Sequence, residues 1–278
     1  MRARRRSSGS SSRVRFLGSE RGAAHQQWYR AIAEHYGALY DAKRDANAAA
    51  FLHGRFRRHA PVVDVLDVAC GTLAIDIGLV NRGYRVVGRD LSRNMIRSAR
   101  RNLRRAGLRA DVARGDMRSL RLGREFDAVL CLGTAFNYLS SAGGVRRAMQ
   151  TFRRHLRPGG LLVLDLTNFD AWIGNPKNAR AEVDHTTPDG TRIAVFAFNE
   201  QNPAKTVHTA RMITVVQKGN RIDFRFDEAD LKVWRKEAIA RALRSHGFRP
   251  VGWYGDLKGG ARYIRGKSPR LIAIAVRR

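Results

Sequence analysis

Residues 62–91 constrain the fold more than any other stretch. They read VVDVLDVACGTLAIDIGLVNRGYRVVGRDL. An apolar, β-branched run from 62 to 68, broken only by Asp64 and Asp67, lies between Pro61 and Cys70-Gly71-Thr72. That is the pattern of a buried parallel strand that ends in a tight turn. Residues 73–81 then repeat apolar side chains at helical spacing, and residues 84–88 form a second apolar run that ends at Arg89-Asp90. Strand, glycine turn, helix, strand and acid make a nucleotide-binding βαβ unit. Asp90 stands close to the spacing of about 20 residues at which such an acid meets ribose hydroxyls.

The turn says which nucleotide. A dinucleotide site needs G-x-G-x-x-G, so that backbone amides meet a pyrophosphate. Here the turn is D-V-A-C-G-T-L, with one glycine and Asp67 at the strand end. An acid repels phosphate and favours a cation, so the implied ligand is a nucleoside with a positive or zwitterionic tail.

Asp67-Val68-Ala69-Cys70-Gly71-Thr72 resembles the first motif of class I S-adenosylmethionine-dependent methyltransferases. The resemblance runs on through Asp90, Gly115-Asp116-Met117, the apolar segment 126–132 and Arg157-Pro158-Gly159-Gly160-Leu161-Leu162-Val163-Leu164-Asp165. Cys131-Leu132-Gly133-Thr134-Ala135-Phe136-Asn137-Tyr138-Leu139 and residues 165–170 look most like the glycine and sarcosine N-methyltransferases and related small-molecule enzymes. The resemblance covers residues 25–278 and is strongest over 62–170. It implies an α/β fold, a Rossmann-like seven-stranded methyltransferase sheet with an antiparallel β insertion. It also implies S-adenosyl-L-methionine as cofactor, and a small-molecule N or O acceptor.

By the same resemblance, Asp67, Ala69, Cys70, Gly71, Asp90, Leu91, Asp116, Met117 and Leu132 would hold the cofactor. An N-terminal segment would fold over it and bring Tyr40 and Arg44, the latter toward the methionyl carboxylate. Tyr36, Thr134, Asn137, Tyr138, Thr167, Asn168 and Tyr254 would face the acceptor. No catalytic residue is singled out. Tyr138, Tyr254 and Asp256 are candidates for taking a proton from an amine.

Two departures bear on activity. Leu73 stands where relatives carry a second glycine, and its side chain is expected to crowd the approach of the methionyl tail. A shifted turn, a weakened affinity and a non-catalytic cofactor-binding protein are all open outcomes. Thr167 stands where glycine-type relatives use an arginine for the substrate carboxylate, and Thr134 replaces an amide-bearing residue. Both argue against glycine as acceptor.

The chain divides into a Ser/Gly/Arg-rich arm over 1–22, expected to be disordered, and a helical lid over 23–60, with Trp28, Ile32, Tyr36 and Tyr40 on one helical face. The methyltransferase domain spans 61–278, with the β insertion at about 171–226. A helix is expected over 227–246, and the last strands, 250–254 and 271–276, are expected to be antiparallel.

Lys and Arg number 53 against 24 Asp and Glu, a net charge of +29. Such a field attracts polyanions, so nucleic acid is a possible partner beside a merely solvated surface. An RNA or protein methyltransferase is the alternative reading. Against it, the Asn/Asp-Pro-Pro-aromatic motif of many base amino-methyltransferases is absent. Cys70 and Cys131 are the only cysteines, both expected at strand ends facing one cleft and reduced, as in a cytoplasmic protein. The eight histidines form no metal-spaced pair, so no metal is expected. No apolar run reaches the ~18 residues of a membrane span.

Overall fold

The computed structural model describes residues 13–17, 42–59, 61–172, 179–187 and 189–278. Its first half contains β1 (Arg13–Leu17), α1 (Ala42–His59), β2 (Asp64–Asp67), α2 (Ala74–Val80), β3 (Arg85–Asp90), α3 (Arg93–Arg105), β4 (Asp111–Arg114), β5 (Phe126–Cys131) and α4 (Ala142–Arg154). Then come β6 (Leu156–Thr167), β7 (Ala179–Thr186), β8 (Arg192–Gln201), β9 (Val207–Lys218), β10 (Arg221–Lys232), α5 (Lys236–Ser245), β11 (Phe248–Tyr254) and β12 (Arg270–Arg277).

The main sheet has seven strands in the order β11-β12-β6-β5-β2-β3-β4. Its inner strands, such as β2 and β5, are buried on both faces, which is why they read as nearly continuous apolar runs. Along β5, Val129 and Cys131 point into one core layer while Ala128 and Leu130 point into the other. Residues of α4 and α5, such as Phe152 and Leu243, fill the first layer. Leu52 and Phe56 of α1 and Leu79 of α2 fill the second, which Ile96 and Leu103 of α3 extend through their own cluster. Of the two last strands, only β12 opposes the body of the sheet. It is antiparallel to both β6 and β11, so β11 runs the same way as β2–β6. The expectation of two antiparallel strands is corrected here: α5 carries the chain back before β11 begins.

A second sheet has the order β1-β10-β9-β8-β7. The expected antiparallel insertion is there, but it is longer than expected. β10 continues to Lys232, and the helix expected from 227 begins at Lys236. The reason is a period of two: Asp227, Ala229 and Leu231 are buried while Glu228 and Asp230 are exposed. β1 lies in the arm expected to be disordered, yet Arg13–Leu17 pair in parallel with Arg221–Arg225. The edge of β10 offers a row of unpaired backbone groups, and a short extended segment satisfies them. The rest of the arm and most of the expected lid, with Trp28, Ile32, Tyr36 and Tyr40, lie outside the described residues.

The two sheets meet at a short 3-10 turn, Ala135–Tyr138. Asn137, fully buried, donates from Nδ2 to the Lys232 carbonyl of β10 at 2.9 Å and accepts from the Thr167 amide of β6 at 3.3 Å. Phe169, Leu231 and Val233 pack against Tyr138 beside it. Among the described residues no helix is long and apolar enough to cross a membrane.

Candidate functional site

A cleft opens at the carboxyl ends of β2, β3, β4 and β5, where open α/β sheets hold ligands. Of the residues that the sequence assigned to the cofactor, Asp67, Ala69, Cys70, Gly71, Asp90, Leu91, Asp116, Met117, Leu132 and Arg44 all line it. Tyr40 lies outside the described residues.

The turn after β2 is built around Asp90. Its Oδ2 accepts the Gly71 amide at 3.0 Å, and its Oδ1 accepts the Ser92 amide at 2.8 Å. Each carboxylate oxygen keeps a further lone pair, so two oxygens are held in place with capacity left for a pair of hydroxyls. Burial raises the Asp90 carboxyl above the usual range, against those two amide bonds. Cys70 donates its amide to the Arg89 carbonyl at 3.0 Å, which draws the turn onto β3.

Gly71 and Leu73 both have positive φ, 53° and 65°. For leucine this costs roughly 1–2 kcal/mol. The expected crowding by Leu73 does not occur. Its side chain is fully buried among Cys70, Ile96, Ala99, Leu103 and Val112, on the far side of the turn from the cleft. The backbone keeps the left-handed shape that a glycine would give it, and the isobutyl group fills the helix–sheet layer.

Two buried acids face the same end of the cleft. Asp67 ends β2, is 2% exposed, and accepts the Ala69 amide at 2.9 Å. Asp76, from α2, is 1% exposed and was not singled out in the sequence. Its place in an apolar helical run, Ile75-Asp76-Ile77, was the available signal. Burial raises Asp67, and the Asp76 charge adds to it; burial raises Asp76 to about 7. At the other end, Arg118 donates to both oxygens of Asp116, at 2.6 Å in the shortest bond, so that this acid carries its own counter-ion.

The residues assigned to the acceptor fare less evenly. Tyr138 lines the cleft. Thr134 and Thr167 form a polar cluster just behind it. Their hydroxyls are 2.8 Å apart, and Arg270 donates to both, at 3.1 and 2.9 Å. Arg270 also bonds Asp165 at 2.7 Å, and Asp165 accepts the amide of Gly133, a cleft residue, at 3.0 Å. An arginine thus does stand at Thr167, supplied by β12. Three of the assigned side chains are engaged by other parts of the fold. Asn137 is spent on the junction of the two sheets. Asn168 is buried and donates to the Ser268 carbonyl at 2.7 Å. Tyr254 packs on α1, edge-on to Phe51 at 5.2 Å, and accepts from Arg55 at 2.9 Å. Asp256 caps the amides of Lys258, Gly259 and Gly260. Tyr36 lies outside the described residues. Cys70 lines the cleft, but Cys131 is buried in the core and does not. Burial raises both thiols.

A methyltransferase domain model matches residues 65–160. The chain is 33% identical over 147 residues to the glycine/sarcosine N-methyltransferase of Parasynechococcus marenigrum, covering 52% of this chain and 52% of that protein. It is 34% identical over 155 residues to the dTDP-3-amino-3,4,6-trideoxy-alpha-D-glucopyranose N,N-dimethyltransferase of Streptomyces venezuelae, covering 51% of this chain and 63% of that protein. The match therefore spans between half and two thirds of these relatives' length. Among solved structures, an S-adenosylmethionine-bound amino pentose methyltransferase from Micromonospora echinaspora superposes with a TM-score of 0.68 at 25% identity, covering 89% of this chain and 97% of that one. With the sheet order, the turn after β2 and Asp90 already in place, residues 65–160 form a methyltransferase domain, and the chain resembles the class I S-adenosylmethionine-dependent methyltransferases.

Proposed function

We propose that the chain moves a methyl group from S-adenosylmethionine to the nitrogen of a small amine-bearing molecule. The observation that carries this reading is the charge layout of the cleft: a buried acid pair at one end and Asp90, with open lone pairs, in the middle. The fit to the donor follows residue by residue. Asp90 would hold the ribose hydroxyls, Met117 and Leu132 would flank the base, and Arg44 would meet the methionyl carboxylate. Asp67 would face the cationic part of the tail. When bound, the sulfonium supplies an activated methyl group, so the protein's task is to position donor and acceptor, a contribution that can reach about 7–11 kcal/mol. Tyr138 borders the cleft where the second sheet joins, and its hydroxyl is the group we assign to receive the proton that the amine must shed. The relatives named above carry N-methyltransferase names, which supports nitrogen over oxygen.

The test is a transfer assay with methyl-labelled donor against amino sugars, glycine, sarcosine and a total RNA pool. Labelled small amines are the expected result. Label found only in RNA, or in nothing, overturns the reading.

A second reading rests on the charge. α3 has no acid in its 13 residues, and Arg93, Arg97, Arg100 and Arg104 are exposed along it at helical spacing. We infer that this stripe, with the arm over 1–22, attracts polyanions. Binding to an RNA probe that falls steeply between 50 and 200 mM salt, as counterion release requires, supports this. Absence of binding at low salt leaves a solvated surface.

A further inference from the structure

The cleft holds two carboxyls where a single cation-facing acid was expected. Asp67 and Asp76 are both almost wholly buried and both line it. They also hydrogen-bond to each other. A bond between two carboxyls requires a proton on one of them, because two carboxylates in contact repel. Asp67 Oδ1 is engaged by the Ala69 amide. Asp76 Oδ1 is buried and has no hydrogen-bond partner. A carboxyl oxygen left in that state is costly unless a donor arrives.

The charged groups around the pair do not supply that donor. Asp90, across the turn on β3, adds further negative charge at Asp67. The Cys70 thiol between them is held protonated by burial and by the three acids. Arg89 turns away to Asp111, at 2.8 Å. From α1, Arg44 and Asp45 line the cleft 3.8 Å from each other, and Arg118 is bound to Asp116. The pair is thus a buried acidic pocket on the cleft wall, with burial holding protons on both carboxyls below neutral pH.

Resting on the cofactor reading above, we propose that Asp76 is a second cofactor-binding acid. The ammonium of the methionyl tail donates to its open oxygen and replaces the proton that Asp76 carries. One N–H bond is pointed at Asp76, one O–H proton leaves Asp76 for solvent, and the pair passes from neutral to singly ionised against the incoming cation, with Asp67 keeping its own proton. Donor binding is therefore coupled to proton release, and affinity rises with pH until Asp76 has lost its proton unaided. The titration of Asp76 near pH 7 places that dependence in the neutral range.

Calorimetry tests this with S-adenosylmethionine and with 5′-methylthioadenosine, which keeps the nucleoside and lacks the amino-acid tail. At pH 6, in buffers of differing ionisation enthalpy, wild-type protein should release close to one proton per S-adenosylmethionine bound and none with methylthioadenosine. Below the pair's titration, affinity for the full donor should change about tenfold per pH unit. Asp76→Asn should bind methylthioadenosine as wild type does, which shows that it is folded. It should bind the full donor at least tenfold more weakly at pH 8, with proton release largely lost. If wild type releases no proton, or Asp76→Asn matches it in affinity and proton release, the inference falls while the cofactor reading stands. If wild type binds neither probe, both fall.

Discussion

Leu73 Cδ1 occupies the space that a side chain on Gly88 would need: an ideal Cβ built on Gly88 would lie 2.8 Å from it. The glycine absent from the turn after β2 is matched by a glycine on the neighbouring strand, and the leucine fills the gap. Gly88→Ala should therefore destabilise the fold by about 1–3 kcal/mol through overpacking. Leu73→Gly should relieve the positive φ but empty a packed site. In the double variant the two costs should fall short of their sum by about 0.5–3 kcal/mol, the range for residues in contact. Urea unfolding of the four proteins measures this, and strict additivity would show that the two positions do not interlock. Donor affinity of Leu73→Gly should be unchanged, since this side chain does not enter the cleft.

Asp90→Ala should weaken donor binding by about 1.5–3 kcal/mol, the range for hydrogen bonds to a charged group. The Gly71 and Ser92 amides lose their acceptor in the same step, so the turn itself should loosen. Calorimetry on the variant reads the first effect, and amide exchange at Gly71 reads the second. Equal affinities would remove Asp90 from the site.

The buried acid pair also sets a pH dependence of stability in the ligand-free protein. The carboxyl of Asp76 is raised, from an ordinary 3.8 to about 7. A group whose folded value is raised contributes stability that is complete below its unfolded value and is lost as pH climbs through the folded one. Wild-type protein should therefore lose thermal stability between about pH 4 and pH 7, with the loss levelling off above pH 8. Asp76→Asn should lose less over the same window and melt higher at pH 8. Parallel melting curves against pH would mean that Asp76 is ionised throughout.

Asn137→Ala should cost about 1–3 kcal/mol for each partner left unsatisfied, because the Lys232 carbonyl and the Thr167 amide both depend on it. The expected readout is a lowered melting temperature with donor affinity intact. A large loss of donor affinity at unchanged melting temperature would return Asn137 to the binding site.

What could be read in the sequence divides along physical lines. The βαβ unit was legible because a buried parallel strand, a tight turn and an acid each leave a local mark, and Asp67, Gly71 and Asp90 all line the cleft as read. The role of Leu73 was not legible. Which way a side chain points from a turn depends on φ and on the space beside Gly88, and neither is a local property. Asn137, Asn168 and Tyr254 follow strand ends as ligand-facing residues do, but the backbone carbonyls and rings that claim them come from segments distant in sequence. Asp76 was passed over because an acid amid apolar helical residues is read as an exposed face until burial shows otherwise. The end of β10 was misread for a related reason, since Asp227-Glu228-Ala229-Asp230-Leu231 carries a weak alternation that a helix pattern also accommodates.

Among the described residues, those lining the cleft fall between positions 44 and 139, whereas β7 to β10 are threaded in later, between β6 and α5. The described residues of the donor cleft thus form one stretch of chain that precedes β7 to β10. An exchange of residues 179–232 for the corresponding sheet of a relative would leave the donor pocket's own residues untouched. Descendants of such a chain are free to change acceptors by drift in one cassette, without relearning how to hold the reagent that every one of them uses.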